Sequence, residues 1–317
     1  MRLAAVVPCT DSKSGSGPLR AMSALDAHLL PDELGDRWLA YLATTPHASA
    51  AQVLYKGPGW AASLRMIAAL QATGAAVDWR IISAGYGLLH PEEPVARYSA
   101  TFLAGHPDSI PGTSKDADAA GTWWTLVNQL RGQPQPLVEF AKEVDGLVVA
   151  ASAPYVDAVS SELVEVAQQV PTVVFCAGRP RDPEAAALAP RFDRRLREGD
   201  EAFVSGGDVG FNQRVATRCV ELLGADVVDR ARVEELLAVA MDREGPVRHG
   251  RQVASDATVM AFIDASLAVD PSVSRTVLLR RWRERGRACE QGRFGVLYER
   301  VVVERSGQLT LGEAACG

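Results

Sequence analysis

The stretch LAAVV at residues 3–7 decides the fold class. It is a short, wholly apolar run that stops at Pro8 and gives way to a loop rich in serine and glycine, which is the pattern of a buried strand. Three further strands are predicted at 78–83, 146–151 and 172–176, and segments with helical spacing separate them. Apolar strands that alternate with helices predict an α/β protein with a mainly parallel sheet flanked by helices.

The segments between these strands have the period of helices. Apolar residues recur at helical spacing in 33–43 and 60–72, and Gly74 closes the second helix. A short fifth strand is predicted at 202–205. Further helices are predicted at 121–130, 136–143, 156–168, 211–223 and 229–242.

The chain divides into two predicted domains. Residues 1–243 form the α/β domain, residues 252–317 form a small, basic, helical module, and 244–251 is the linker because it contains Gly-Pro and a second glycine. Helices are predicted in the module at 255–268, 273–285 and 288–303, the last of them running into a strand-like segment at 301–303.

Positive charge is concentrated in the second domain. Residues 274–303 carry eight arginines against three glutamates, a net +5, which leaves −11 for the rest of a chain whose formal charge is −6. Trp282 lies among these arginines and Gly286 marks a turn, so a helix–turn–helix arrangement that contacts DNA is predicted. The alternative is a solubilising face, or an internal partner for the acidic bulk. The predicted DNA-binding residues are Arg280, Arg281, Arg283, Arg287 and Arg293.

The composition narrows the class of protein. The 317 residues are 47% hydrophobic and 23% charged, which is ordinary for a globular enzyme. Five scattered cysteines without a C-x-x-C pair argue against a disulfide framework and a zinc knuckle. The first apolar run is too short for a signal peptide, and no run approaches the length of a membrane span. We therefore expect a cytoplasmic protein without a membrane partner.

Polar side chains follow the first strand, where an open α/β sheet binds its ligands. Cys9 begins this loop and is predicted to bind substrate, and Asp11 and Lys13 supply a carboxylate and an ammonium within three residues. Asp11 could activate water, and Lys13 could neutralise a phosphate or a leaving group, so both are predicted to be catalytic. The alternative is a solvated turn in which Asp11 only satisfies backbone groups.

The second strand ends in ISAGYGLL at residues 82–89. Two glycines around Tyr86 let the backbone approach a ligand and place the ring at the mouth of the sheet, where it can stack on a base. Tyr86 is predicted to be catalytic, and Ser83 and Gly85 to line the substrate site. The alternative is an ordinary turn in which Tyr86 packs in the core.

Other loops add candidate substrate-binding residues. Tyr98 could stack on a base, and Ser152 and Tyr155 follow the third strand. The glycine-rich segment before the helix at 211–223 could hold a phosphate with Asn212 and Arg214, although an ordinary strand-to-helix turn explains it equally well. The histidines lack a metal-ligand spacing, and neither a Walker loop nor a Gly-x-Ser-x-Gly elbow is present, so no metal or cofactor is predicted.

These motifs together resemble a known bacterial family. The segment ISAGYGLL, preceded by LYKG at 54–57 and PCTDSK at 8–13, is similar to that family's signature of a hydrophobic residue followed by Ser-Ala-x-Tyr-Gly-Leu-Leu. The family looks related to uracil-DNA-glycosylase-like and tRNA-guanine-transglycosylase-associated α/β domains, and some antiphage DNA glycosylases look similar to it. The resemblance covers residues 1–105 well and 106–225 loosely. The Gly-Gln-Asp-Pro-Tyr-His loop of true uracil glycosylases is missing.

The resemblance and the charge pattern imply a function. We expect a DNA N-glycosylase that excises a modified base from phage DNA and leaves an abasic site, in antiviral defence. Its partner would be double-stranded DNA, with no obligate protein partner. Two alternatives stay open: a non-catalytic DNA-binding protein whose α/β domain senses a nucleotide, and a nucleoside or nucleotide transferase.

Overall fold

Residues 3–7 form the middle of β1 (Arg2–Pro8), which is the central strand of a five-stranded sheet in the computed structural model. All five of these residues are fully buried, so helices cover both faces of the strand. The structure describes residues 1–15, 18–44, 49–113, 116, 118–197, 202–242 and 252–314, with side chains to residue 305.

The chain forms two compact units, Met1–Gly245 and Pro246–Gly317. The predicted linker at 244–251 lies outside the described residues. The further strands of the first unit are β2 (Arg20–Ala21), β3 (Ser49–Ala50), β4 (Ala76–Ser83), β5 (Gly87–Leu89), β6 (Pro94–Val95), β7 (Tyr98–Ser99), β8 (Gly146–Ala150) and β9 (Thr172–Phe175). Its α-helices are α1 (Pro31–Ala43), α2 (Ala51–Leu54), α3 (Pro58–Ala72), α4 (Ala119–Leu130), α5 (Pro136–Ala141), α6 (Ala153–Ala158), α7 (Ser160–Ala167), α8 (Pro183–Ala187), α9 (Phe211–Leu223) and α10 (Arg230–Met241).

The strand order in the sheet is β5-β4-β1-β8-β9. Strands β4, β1, β8 and β9 run parallel, and β5 returns antiparallel along β4. The predicted α/β class with a mainly parallel sheet is therefore confirmed. Since parallel neighbours end at the same edge of a sheet, the loops after β1, β4 and β8 meet there, as predicted.

Two elements of the first unit differ from the prediction. Residues 202–205 form no strand, because the Val204 amide donates to the carbonyl of Leu196 within a loop. The single helix predicted over 156–168 is two helices, α6 and α7, which meet at Val159.

The helices of the first unit pack in two sets, one around α3 and α9 and the other around α4. Helices α3 and α9 pack on each other and on the parallel strands, and α4 packs on α1, α6 and β5. The predicted helices at 33–43, 60–72 and 211–223 are confirmed within two residues at each end. Among the described residues of the chain, we find no helix with the length and apolar character needed to cross a bilayer.

The second unit has its own apolar core. It contains β10 (Gln252–Val253), α11 (Asp256–Val269), α12 (Arg275–Glu284), β11 (Arg287–Ala288) and α13 (Gln291–Ala314), and β10 pairs with β11 in parallel. The core includes Leu278, Trp282 and Phe294. The strand-like segment at 301–303 is helical, because Val301 packs into this core from α13 while the next two valines are exposed.

Candidate functional site

The carboxyl edge of the parallel strands brings the predicted site loops together. The Cys9 amide donates to the carbonyl of Ile82 at 2.9 Å, which ties the end of β1 to the end of β4. The Cys9 sulfur lies 3.5 Å from the hydroxyl of Tyr155 in α6, after β8. Residues from three predicted loops thus meet at one place, which we call the site edge.

Ser83 shapes the turn after β4. Its buried Oγ accepts hydrogen bonds from the amides of Gly85 and Tyr86, at 3.2 and 3.0 Å. A serine at the end of a strand favours this local turn, since its hydroxyl replaces the missing backbone acceptor. The same hydroxyl lies 2.6 Å from the hydroxyl of Tyr98, so the turn is joined to β7.

The glycines of this turn are required by close packing. A Cβ at Gly85 would lie 2.6 Å from the ring of Tyr98. Gly87 has a φ of +72° and its α-carbon faces the side-chain amide of Asn128. The indole of Trp38 donates to the Gly85 carbonyl at 2.7 Å and helps to fix the loop. The prediction that Gly85 lines a substrate site therefore has a structural alternative, which is tight packing on Tyr98.

Tyr98 lies inside the protein. Its ring has no exposed surface, and its hydroxyl lies 2.8 Å from the hydroxyl of Tyr55 and 2.6 Å from Ser83. We call Tyr55, Tyr98 and Ser83 the tyrosine network. Burial raises the pKa of both tyrosines well above the ordinary value, so both hydroxyls stay neutral. The predicted stacking of a base on Tyr98 does not fit this position, and Tyr98 instead supports its neighbours.

Lys13 lies half-buried against the tyrosine network. Its Nζ is 4.3 Å from the centre of the Tyr98 ring and 5.7 Å from that of Tyr55. It donates to the carbonyl of Thr10 at 2.8 Å and to that of Asp11 at 3.4 Å. Burial lowers the pKa of the Lys13 ammonium, because the loss of solvent outweighs the attraction of nearby acidic groups. The site edge thus holds an amine that loses its proton more easily than a surface lysine.

Asp11 is exposed beside this amine. Within the described part of the chain, its carboxylate makes no hydrogen bond and no ion pair, whereas the turn interpretation requires it to accept backbone N–H groups. Its negative charge acts on Lys13 and raises the pKa of that lysine, against the larger effect of burial. The carboxylate is therefore available to a ligand at the site edge.

Tyr86 is half-buried, and its ring packs edge-on against Tyr98 at 5.3 Å. Its hydroxyl accepts the amide of Ala96 at 2.8 Å. Burial raises the pKa of Tyr86 to about 12, so at neutral pH the group can donate a proton in a hydrogen bond but cannot act as a base. Arg131 holds the turn by donating to the Tyr86 carbonyl and by pairing with Glu93.

The loop after β8 contributes Tyr155. Its hydroxyl lies 3.4 Å from the hydroxyl of Thr101 as well as close to Cys9, and its ring packs edge-on against Phe102. Burial is the main cause that raises the pKa of Tyr155 well above the ordinary value. Ser152 precedes α6, is exposed, and makes no side-chain capping bond, so its hydroxyl faces solvent.

Asn212 joins two strand ends. Its amide nitrogen donates to the Ala151 carbonyl at 2.7 Å, and its oxygen accepts the Ala177 amide at 2.9 Å. These contacts link the segments after β8 and β9, so Asn212 has a structural task at the position where we predicted substrate binding.

Arg214 fills the glycine-rich loop that we predicted to bind phosphate. Its guanidinium donates to the Val209 carbonyl at 2.6 Å and also to the Gly207 carbonyl. A Cβ at Gly206 would lie 3.3 Å from the guanidinium carbon. These bonds use two of the five N–H donors of the guanidinium, so phosphate binding by Arg214 stays a prediction, and we leave Arg214 and Asn212 out of the proposed machinery.

The five arginines predicted to bind DNA fall into two groups. The first group, Arg280 and Arg281, is exposed on α12. Arg280 has its Nε 3.6 Å from Glu284, and both side chains are more than half exposed. Arg281 is also exposed, and its charge contributes to lowering the pKa of Asp270. Weak, solvated contacts of this kind leave both guanidinium groups able to reach a phosphate.

The second group is engaged within the unit. Arg293 pairs with Asp256 at the start of α11 and also donates to the Ala254 carbonyl at 3.0 Å. Arg283 donates to a backbone carbonyl at 3.2 Å, and Arg287 lies 6.0 Å from the centre of the Trp282 ring. Arg293 in particular holds α11, which is a structural alternative to the DNA contact that we predicted for it.

Sequence reasoning missed three residues at the site edge. Tyr55 was noted only as part of a motif, yet its backbone bridges to Lys13 and its ring lies beside the amine. Thr101 and Arg131 were not singled out. The only available signal was a tyrosine next to a lysine in LYKG, and such a signal does not reveal contacts between distant segments.

Comparison with protein-family models, with curated proteins and with solved structures found no match to this chain. The function is therefore argued from the geometry of the site edge and of α12.

Proposed function

We propose that this protein cleaves the N-glycosyl bond of a modified base in DNA and leaves an abasic site. The observation that carries the proposal is the pair formed by Asp11 and Lys13. An exposed carboxylate without a hydrogen bond among the described residues lies beside a desolvated amine at the edge where parallel sheets bind ligands. Polar groups left in this state are typical of catalytic sites.

The pair suits the charge changes of this reaction. When a base departs, positive charge develops on the sugar and negative charge on the base. The Asp11 carboxylate can stabilise the sugar, and the half-buried Tyr86 can donate its hydroxyl proton, because that hydroxyl accepts the Ala96 amide and keeps its own proton. Buried Cys9 and half-buried Tyr155 lie together at the site edge.

DNA is proposed as the partner because of α12. Arg280 and Arg281 are exposed on this helix, within the stretch of net +5. Exposed arginines on one helix can neutralise backbone phosphates without reading a sequence. The finer fold assignment, a uracil-DNA-glycosylase-like arrangement with a helix–turn–helix-like module, belongs to the same proposal, as do a cytoplasmic setting and a role against phage.

The test is base release from defined DNA. Purified protein would be incubated with phage DNA that carries glucosylated hydroxymethylcytosine and with unmodified DNA of the same sequence. Abasic sites would be counted with an aldehyde-reactive probe, and the free base identified by mass spectrometry. We expect abasic sites and free base only from the modified DNA. Intact DNA in both reactions, with a folded protein bound to it, would favour the non-catalytic alternative.

A further inference from the structure

We propose that Lys13 is the nucleophile of the site edge and forms a covalent imine with C1′ of the deoxyribose. This inference rests on the proposed function and deepens it. A glycosylase that uses such an amine holds the opened sugar covalently and can break the DNA strand next to it. A glycosylase that uses only water cannot do this.

The position of the amine supports this role. Lys13 Nζ is held by the carbonyls of Thr10 and Asp11, at 2.8 and 3.4 Å. A neutral amine keeps two N–H donors, so both contacts survive the loss of a proton, and the lone pair is left for an electrophile. A backbone bridge between Lys13 and Tyr55 fixes the lysine's own segment.

The surroundings favour the neutral amine. Charged and titratable groups around Lys13 act in both directions: Cys9, Asp11 and Asp108 raise the pKa of the ammonium, and Arg97 lowers it. The loss of solvent has the larger effect, so the pKa of Lys13 is lowered. The adjoining hydroxyls of the tyrosine network stay neutral and supply no negative charge to hold the proton.

The chemistry balances with groups at the site. Neutral Nζ attacks C1′ while the electron pair of the N-glycosyl bond leaves with the base, which takes a proton from water. Nζ gives a proton to the Asp11 carboxylate through an intervening water molecule. The C1′–O4′ bond then opens, its electron pair stays on O4′, which the protonated Asp11 carboxyl protonates, and C1′=Nζ forms. A preformed abasic site reaches the same imine from its aldehyde, with loss of water.

The experiment uses that second route, because it does not depend on the identity of the base. A duplex containing one preformed abasic site would be incubated with the full-length protein and sodium borohydride, which reduces an imine to a stable amine. We expect a covalent protein–DNA complex, and peptide mapping should place the DNA on Lys13. The chain has four lysines, Lys13, Lys56, Lys115 and Lys142, and the N-terminal amine must be mapped beside them, because it too forms imines.

Variants separate a nucleophile from a bystander. Lys13→Arg and Lys13→Gln should give no complex, whereas Lys56→Arg, which changes an exposed lysine on the neighbouring segment, should give the wild-type amount. Mapping on the wild-type protein needs no variant, so a folding defect cannot hide the answer. Capture on another lysine, or no capture, would overturn the inference.

The failure of this inference is distinguishable from the failure of the proposed function. Base release from modified DNA without borohydride capture would leave the glycosylase proposal standing and remove Lys13 as nucleophile. Capture on Lys13 without base release from any modified DNA would support the nucleophile and contradict the glycosylase proposal.

Discussion

Replacing Tyr98 with phenylalanine tests the tyrosine network on which the site edge is built. The change keeps the buried ring beneath Lys13 and removes only the hydroxyl. That hydroxyl lies 2.8 Å from Tyr55 and 2.6 Å from Ser83. The fully buried Tyr55 hydroxyl bonds to Tyr98, and the Ser83 hydroxyl also acts on it. The variant therefore removes the nearer partner of a buried polar group.

The expected loss follows from these two contacts. A buried polar group without a partner costs about 1–3 kcal/mol, and Ser83 keeps its two backbone donors. We expect Tyr98→Phe to lower the free energy of unfolding by about 1–3 kcal/mol. Tyr55→Phe alone should cost only about 0.5–1.5 kcal/mol, because Tyr98 still bonds to Ser83. In the double variant the Tyr55 hydroxyl is gone as well, so the combined loss should fall short of the sum by about 1 kcal/mol or more.

Urea denaturation followed by tryptophan fluorescence measures these values. Five of the six tryptophans belong to the first unit, so the signal reports its unfolding. If the losses of the two single variants simply add, or if Tyr98→Phe is as stable as the wild type, the network does not exist as described.

Three further predictions concern other parts of the account. Gly87→Ala should cost about 2–4 kcal/mol in the same urea assay, because the methyl group meets a buried amide at a positive φ; a neutral effect would contradict this geometry. In DNA-binding anisotropy, the double change Arg280→Ala and Arg281→Ala should lower the slope of log affinity against log salt concentration by about 1.8, at roughly 0.9 per phosphate contact. The control Arg300→Ala should leave the slope unchanged. Equal slopes for the wild type and the double variant would show that the two arginines of α12 do not contact phosphates. Because burial lowers the pKa of Lys13, the yield of imine capture should rise with pH and level off at a pH below the ordinary pKa of lysine. A yield that keeps rising through the ordinary lysine pKa would show that the pKa of Lys13 is not lowered.

The strands could be predicted because their signal is local. Residues 3–7 and 146–150 are apolar on both faces, and only a doubly covered strand accepts such a run. The same rule failed at 202–205, where Val204 is buried although these residues form no strand. The prediction of a strand-like segment at 301–303 was also wrong. Three successive valines favour a strand locally, but these residues belong to α13, from which Val301 packs into the core.

The site could be located but not assembled from the sequence. Asp11, Lys13 and Tyr86 were predicted because they follow strands, and the structure brings their loops to one edge. The burial of Tyr98 could not be foreseen, because its neighbours are distant in sequence: Trp38 on α1, Tyr55 after α2 and Ser83 at the end of β4. Arg214 was predicted to bind phosphate beside its glycine-rich loop. In the structure its guanidinium donates to two backbone carbonyls of that loop, and the sequence pattern does not reveal these contacts.

The central claim is that the Asp11 carboxylate takes part in base removal, and single-turnover base release by Asp11→Asn tests it most directly. The substitution preserves size and removes the charge. We predict a rate about 100- to 10,000-fold below wild type, with unchanged DNA affinity and stability. The matched control is Asp36→Asn, which neutralises an exposed aspartate on α1 and should react at the wild-type rate. A well-folded Asp11→Asn protein that releases base as fast as the wild type would contradict the account.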